Sequence, residues 1–110
     1  MENKSGINPC GYRVLILPDV SEEASSIIEI PDSAKERLAL AQAFGRVVAV
    51  GAKAWTSEVL GPVPWAKQGD RVGFGRYAGL VLKGKDKVHY RLVNDEDITA
   101  LLDEEVELGE

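Results

Sequence analysis

An all-β domain of barrel or sandwich type is what this chain predicts, on three observations. Its apolar segments are short and strand-like, they are punctuated by glycine, and no stretch carries a repeated βαβ pattern. With 110 residues there is room for one core and one domain. Aromatic residues are 6% of the chain, so Val, Leu, Ile and Ala must build most of that core.

The elements follow in order. Tyr12 to Leu17 (YRVLIL) is rich in β-formers and stops at Pro18-Asp19, a turn signal. Phe44 to Val50 (FGRVVAV) is a second strand, closed by Gly51. Val72 to Phe74, Gly79 to Leu82 and Lys87 to Leu92 are three more. In Lys87 to Leu92 the alternation puts Val88, Tyr90 and Leu92 on the apolar face and Lys87, His89 and Arg91 on the polar one. Asp97 to Leu102 reads equally as a last strand or a helical turn.

Two segments break the rhythm. Residues 21–43 form a connection far longer than the roughly 2 to 5 residues an ordinary β-hairpin needs. Its first half sets Ile27, Ile28 and Ile30 in a polar Ser/Glu background, and its second half is helix-prone, with Ser33 and Glu36 spaced as a capping box. Residues 52–68 carry Trp55, Trp65 and the bend signal Gly61-Pro62.

Composition excludes several functions. The net charge of -5 resides in the tail, residues 103–110, which holds five acids and no base. Without the tail, thirteen acids face thirteen basic residues, so the body lacks the basic surface that nucleic-acid binding requires. One Cys (Cys10) and one His (His89) cannot build a disulfide or a Cys-His metal cluster. There is no phosphate-binding glycine loop followed by Gly-Lys-Ser/Thr. No apolar run approaches the roughly 20 residues of a membrane span, and Met1 to Gly11 lacks a signal-peptide core. The expectation is a cytoplasmic, non-enzymatic protein that uses no cofactor and no metal and binds neither nucleic acid nor membrane. Cys10 is expected to pack as a small apolar residue.

Five motifs, in order and at matching spacing, carry a resemblance. Pro9 with Arg13-Val14-Leu15-Ile16 resembles the opening strand of the GroES-type co-chaperonins, the ring-forming lids of chaperonins. Ile27 to Glu36 (IIEIPDSAKE) is similar to that family's mobile-loop motif, Gly45 to Gly51 (GRVVAVG) to its second strand, Lys67 to Phe74 (KQGDRVGF) to its Gly-Asp turn, and Asp95 to Ile98 (DEDI) to the lead into its closing strand. The departures are Ser25-Ser26 in place of a glycine pair, Glu29 between the isoleucines, a longer stretch after Asp32 with Leu38 and Leu40 where the family has polar residues, and the acidic tail. Divergence of this kind suits a virus-encoded member.

The resemblance implies a small GroES-like barrel with a long mobile loop (21–43), a roof hairpin (52–68) and an acidic tail (103–110). It implies that the protein caps an ATP-bound GroEL-type chaperonin, touching it through Ile27, Ile28, Glu29, Ile30 and Pro31, and encloses unfolded substrate proteins beneath it. Trp55, Gly61 and Trp65 would belong to the roof, and Tyr77 to the inner dome wall. The lid would be a homo-oligomeric ring, a heptamer, whose first and last strands pair between neighbours, with Val14, Ile16, Ile98 and Leu101 at the interface; pairing of those strands within one chain is an equally simple reading. Ordering a loop costs about 1 to 2 kcal/mol per residue fixed, against roughly 1.5 to 3 kcal/mol for burying each isoleucine. One arm would therefore bind weakly, and several on one ring would bind as a unit. Two other readings are a dehydrogenase-type barrel, which lacks its zinc ligands and dinucleotide domain here, and a small-barrel module for peptide or another ligand.

Overall fold

The structure, a computed structural model, describes residues 2–19 and 44–107. The expected all-β class is what they form. Six strands, β1 (Arg13–Pro18), β2 (Phe44–Val50), β3 (Arg71–Phe74), β4 (Leu80–Lys83), β5 (His89–Asn94) and β6 (Ile98–Leu101), make one antiparallel sheet in the order β4-β5-β1-β2-β3-β6. Asp97 to Leu102, which reads both ways, is a strand: β6 covers Ile98–Leu101, and a short 3-10 turn over Asp95–Asp97 leads straight into it.

β5 starts two residues later than its alternation suggests. Lys87 sits in the left-handed region at φ 69° and completes a tight turn, with its N–H donating to the Gly84 carbonyl at 3.0 Å. A residue in that conformation cannot continue a ladder.

Alternation along β1 feeds two apolar clusters. Val14 and Ile16 point into the larger one with Val47, Val72, Phe74, Val93 and Ile98, while Leu15 points the other way, toward Val48 and Tyr90. Because β3 and β6 share the larger cluster with β5, from the other side of the sheet, the sheet must curl around it. Its end strands, β4 and β6, are not bonded to each other. A β-bulge helps the curl: Leu15 pairs with Ala49 and Ile16 with Val47, so Val48 is skipped, which bends and twists the strand. The Val48 carbonyl accepts a bond from Gln68 Nε2 at 2.8 Å instead.

The structure corrects the polar face assigned to β5. Arg91 is buried, not solvated. Its Nη2 donates to the Arg76 carbonyl at 3.0 Å and to the Ala78 carbonyl, and its guanidinium lies 5.5 Å from the centre of the Phe74 ring. A fixed, planar donor fork can satisfy several carbonyls at once, which is why arginine is tolerated at such depth. Cys10 is exposed instead of packed as a small apolar residue.

Gly79 closes the turn that Arg91 grips. It has φ +67°, and a Cβ there would overlap the Leu92 carbonyl oxygen. Gly79→Ala should cost roughly 2 to 4 kcal/mol, combining left-handed strain with the clash, read as a lower urea midpoint with an unchanged m-value.

The Tyr90 hydroxyl donates to Asp86 Oδ2 at 2.5 Å, fastening β5 to its turn. Burial, helped by the Asp86 carboxylate, pushes the Tyr90 phenol up to about 12 from 10.0. The unfolded chain then loses its proton first, so stability is fully present below pH 10 and falls as pH rises toward 12. Alkaline unfolding should therefore steepen in that window, and Tyr90→Phe should flatten it; equal pH slopes for both proteins would contradict this origin.

Candidate functional site

The chain leaves the barrel after β1 and returns into β2 at adjacent points. Pro18 pairs with Gly45, and the Asp19 N–H donates to the Phe44 carbonyl at 2.9 Å, closing the root of the 20–43 insertion. Gly45 is needed there, since a Cβ would meet Ile16 Cγ2 and the Leu17 carbonyl at 2.6 Å. Ile27, Ile28, Glu29, Ile30 and Pro31 lie in that insertion, outside the described residues.

Arg71, at the start of β3, gathers the root. One Nη2 bond reaches Asp19 Oδ2 at 3.1 Å, and the guanidinium sits 5.4 Å from the centre of the Phe44 ring. Its Nη1 donates to the carbonyls of Asp103 and Val106 at 2.9 and 2.7 Å. Beside it, Arg46 donates to Glu104 and, at 3.0 Å, to the Gly69 carbonyl. The Arg46 hydrogen bond holds the Glu104 carboxyl below its ordinary value. Residues 103–107 are thus tied to the barrel, not merely a solvated tail.

Segment 52–68 contains no strand, so the expected hairpin is instead a succession of turns. Trp55 is not a surface residue of it. Its side chain is fully buried in the larger cluster, its Nε1 donates to the Asp95 carbonyl at 3.0 Å, and its backbone N–H donates to Asp95 Oδ2 at 2.7 Å. That second bond supports an uncommon left-handed backbone, φ 58°. Trp65 stacks on it, ring centres 6.4 Å apart, and stays 37% exposed. Beyond this anchor the segment turns outward: Gly61 has φ +87° with open space around it, and Val59 and Val63 are 91% and 69% exposed.

Tyr77 is 89% exposed, in a turn that Arg91 pins from beneath through the two carbonyls flanking the tyrosine. The four residues expected between subunits do not behave alike. β1 is bonded to β2 on one side and β5 on the other, so its two edges are used within the chain. Val14, Ile16 and Ile98 are buried in the subunit's own core, because each points inward from its strand; this corrects the reading of β1 as an edge for a neighbour. Leu101 is 58% exposed on β6, a sheet edge, and lines a shallow groove of about 350 Å³ with Trp65, Ile98, Thr99 and Ala100.

Among the described residues, no cluster of three or more His, Cys, Asp or Glu is arranged to hold a metal ion, and no helix is long and apolar enough to cross a membrane. What the geometry offers is a barrel with one strapped insertion root, one outward segment and two open sheet edges, β4 and β6. Residues 6–102, which include all of these except the C-terminal residues that strap the root, match the family described as "Chaperonin 10 Kd subunit". This chain belongs to the chaperonin 10 family. Among curated relatives, proteins named "Co-chaperonin GroES" from Staphylococcus aureus strains JH9, Newman and Mu50 are each 37% identical over 98 residues, covering 88% of this chain and 99% of theirs.

In this chaperonin 10 chain, sequence reasoning missed two residues. Arg91 supports the Tyr77 turn and Arg71 the insertion root, yet Arg91 sits on the face of an alternating strand that reads as solvent-facing, and Arg71 falls in a Gly-Asp turn motif just before the strand read from Val72. The one usable signal was the placement of Arg71 directly before an apolar run.

Proposed function

We propose that this chain is a co-chaperonin that caps a GroEL-type chaperonin ring and encloses its chamber. The observation that carries the reading is the family match over residues 6–102, which takes in the whole barrel together with the 20–43 insertion. A lid has to bind firmly and still leave on every cycle, and the physics of weak arms in multiple copies meets both demands.

Ile27, Ile28, Ile30 and Pro31 are the contacts made with the chaperonin, with Glu29 among them. The subunits form a homo-oligomeric ring, seven in number, in which the open β6 edge with exposed Leu101 is the natural place for a neighbour's strand. Trp55 anchors the 52–68 segment to the barrel so that Gly61 and its neighbours form the roof, and Tyr77 faces the chamber, where unfolded substrate proteins are held. No cofactor is used, because nucleotide acts on the chaperonin partner. The protein works in the cytoplasm.

Size-exclusion chromatography with light scattering tests the assembly, and a mass near seven subunits is expected. Adding a GroEL-type chaperonin with ATP should then shift the protein into the chaperonin fraction. A monomer that ignores the chaperonin in ATP would end the lid reading and favour a small binding module.

A further inference from the structure

We infer that Arg71 is a positioning residue for the 20–43 insertion, and that residues 103–107, which lie beyond the family match, brace it. The inference rests on the lid reading for its functional consequence, not for its geometry. A single guanidinium touches the last described residue before the insertion (Asp19), the first after it (Phe44), and two carbonyls of the C-terminal extension (Asp103 and Val106). Glu104 adds a second fastening through Arg46, the residue that pairs with Arg71 in the β2–β3 ladder.

An isolated exposed ion pair would do little. Arg71 differs because its side chain is only 13% exposed and its fork is filled from several directions. The carbonyls of Asp103 and Val106 take Nη1 and leave Nη2 aimed at Asp19. Removing the extension would let the guanidinium turn toward water and loosen the root from which the arm departs. The match to the family stops at residue 102, so the brace is a feature of this chain's own tail. A looser root broadens the directions in which each arm is presented, and a loss of about twofold per arm compounds over the copies in a ring.

The test uses the full assembled protein, an Arg71→Gln variant, a chain ending at Leu102, and the two changes combined. Amide exchange at Asp19, whose N–H closes the root, should rise several-fold in both single changes, while the centres of β1 and β5 keep their protection. The combined change should exchange no faster than either alone, because both remove one device. Capture by a GroEL-type chaperonin in ATP should weaken in parallel by well over tenfold, as the loss per arm compounds, and Arg71→Lys, with one nitrogen where arginine uses two to hold the carbonyls and Asp19 together, should not restore it. Unchanged Asp19 exchange in the shortened chain, additive effects, a rise spread across the whole barrel, full recovery by lysine, or altered exchange with undiminished capture would each overturn the inference. Failure of the unaltered protein to bind the chaperonin would instead strike the lid reading, and the exchange result alone would then decide the brace.

Discussion

A chain carrying Ile28→Ser and Ile30→Ser is expected to assemble normally and to lose chaperonin capture altogether. Each isoleucine buried in a partner contributes roughly 1.5 to 3 kcal/mol, so the double change removes about 3 to 6 kcal/mol from every arm. An arm that already spends about 1 to 2 kcal/mol per residue on ordering has no reserve to absorb this. In a ring the loss repeats in each copy, and the advantage of linked binding disappears with the individual contacts. Co-sedimentation with a GroEL-type chaperonin in ATP is the measurement, with light scattering to verify the mass of the variant. If the variant failed to fold or assemble, these isoleucines would belong to the barrel's core, and the chaperonin contact would have to be sought elsewhere.

Trp55→Ala should be the most damaging single change to the barrel itself. Emptying a buried tryptophan site typically costs about 3 to 5 kcal/mol, and the buried Asp95 carbonyl loses the indole donor that satisfies it, a further 1 kcal/mol or roughly so. Set against about 5 to 15 kcal/mol for an average domain, the loss should leave a large unfolded fraction. Trp55→Phe keeps a ring in the cluster beside Trp65 and gives up the hydrogen bond, so it should cost clearly less. Denaturant titrations of the three proteins at one fixed subunit concentration make the comparison, since assembly would otherwise shift the apparent stability. Equal losses for alanine and phenylalanine would mean that the hydrogen bond, not the packing, dominates at this site.

Strand identity was legible because it depends on local composition. Phe44–Val50 is apolar, β-branched and closed by glycine, and the structure forms β2 over those same residues. Strand phase was less legible. Reading one face of β5 as wet assumes that a sheet has a wet face, but this sheet curls and carries apolar clusters on two sides: Leu15 and Ile16 are both buried, and so are Tyr90 and Arg91. Period-two alternation says which residues share a face and cannot say that either face is outside.

Pairing order was hidden for a different reason. β1 lies between β2 and β5, and nothing in its own six residues records a partner nearly eighty positions away. Trp55 shows the same limit. Its segment has no periodicity, and what draws it inward is Asp95, a residue forty positions along. The tail was read from its charge alone, whereas its attachment uses mostly backbone carbonyls, which every sequence possesses. Of the site itself, the strands that flank the insertion were legible from their composition, while the arginine that gathers its root was not.

The paired exit and entry at Pro18–Gly45 and Asp19–Phe44 make the stretch between them an exchangeable cassette. Closing a loop whose ends are already held together depends only weakly on how many residues it contains. New arms can therefore be spliced in, lengthened or re-coded without renegotiating the barrel. A lineage can change which machine it docks on while its scaffold stands still.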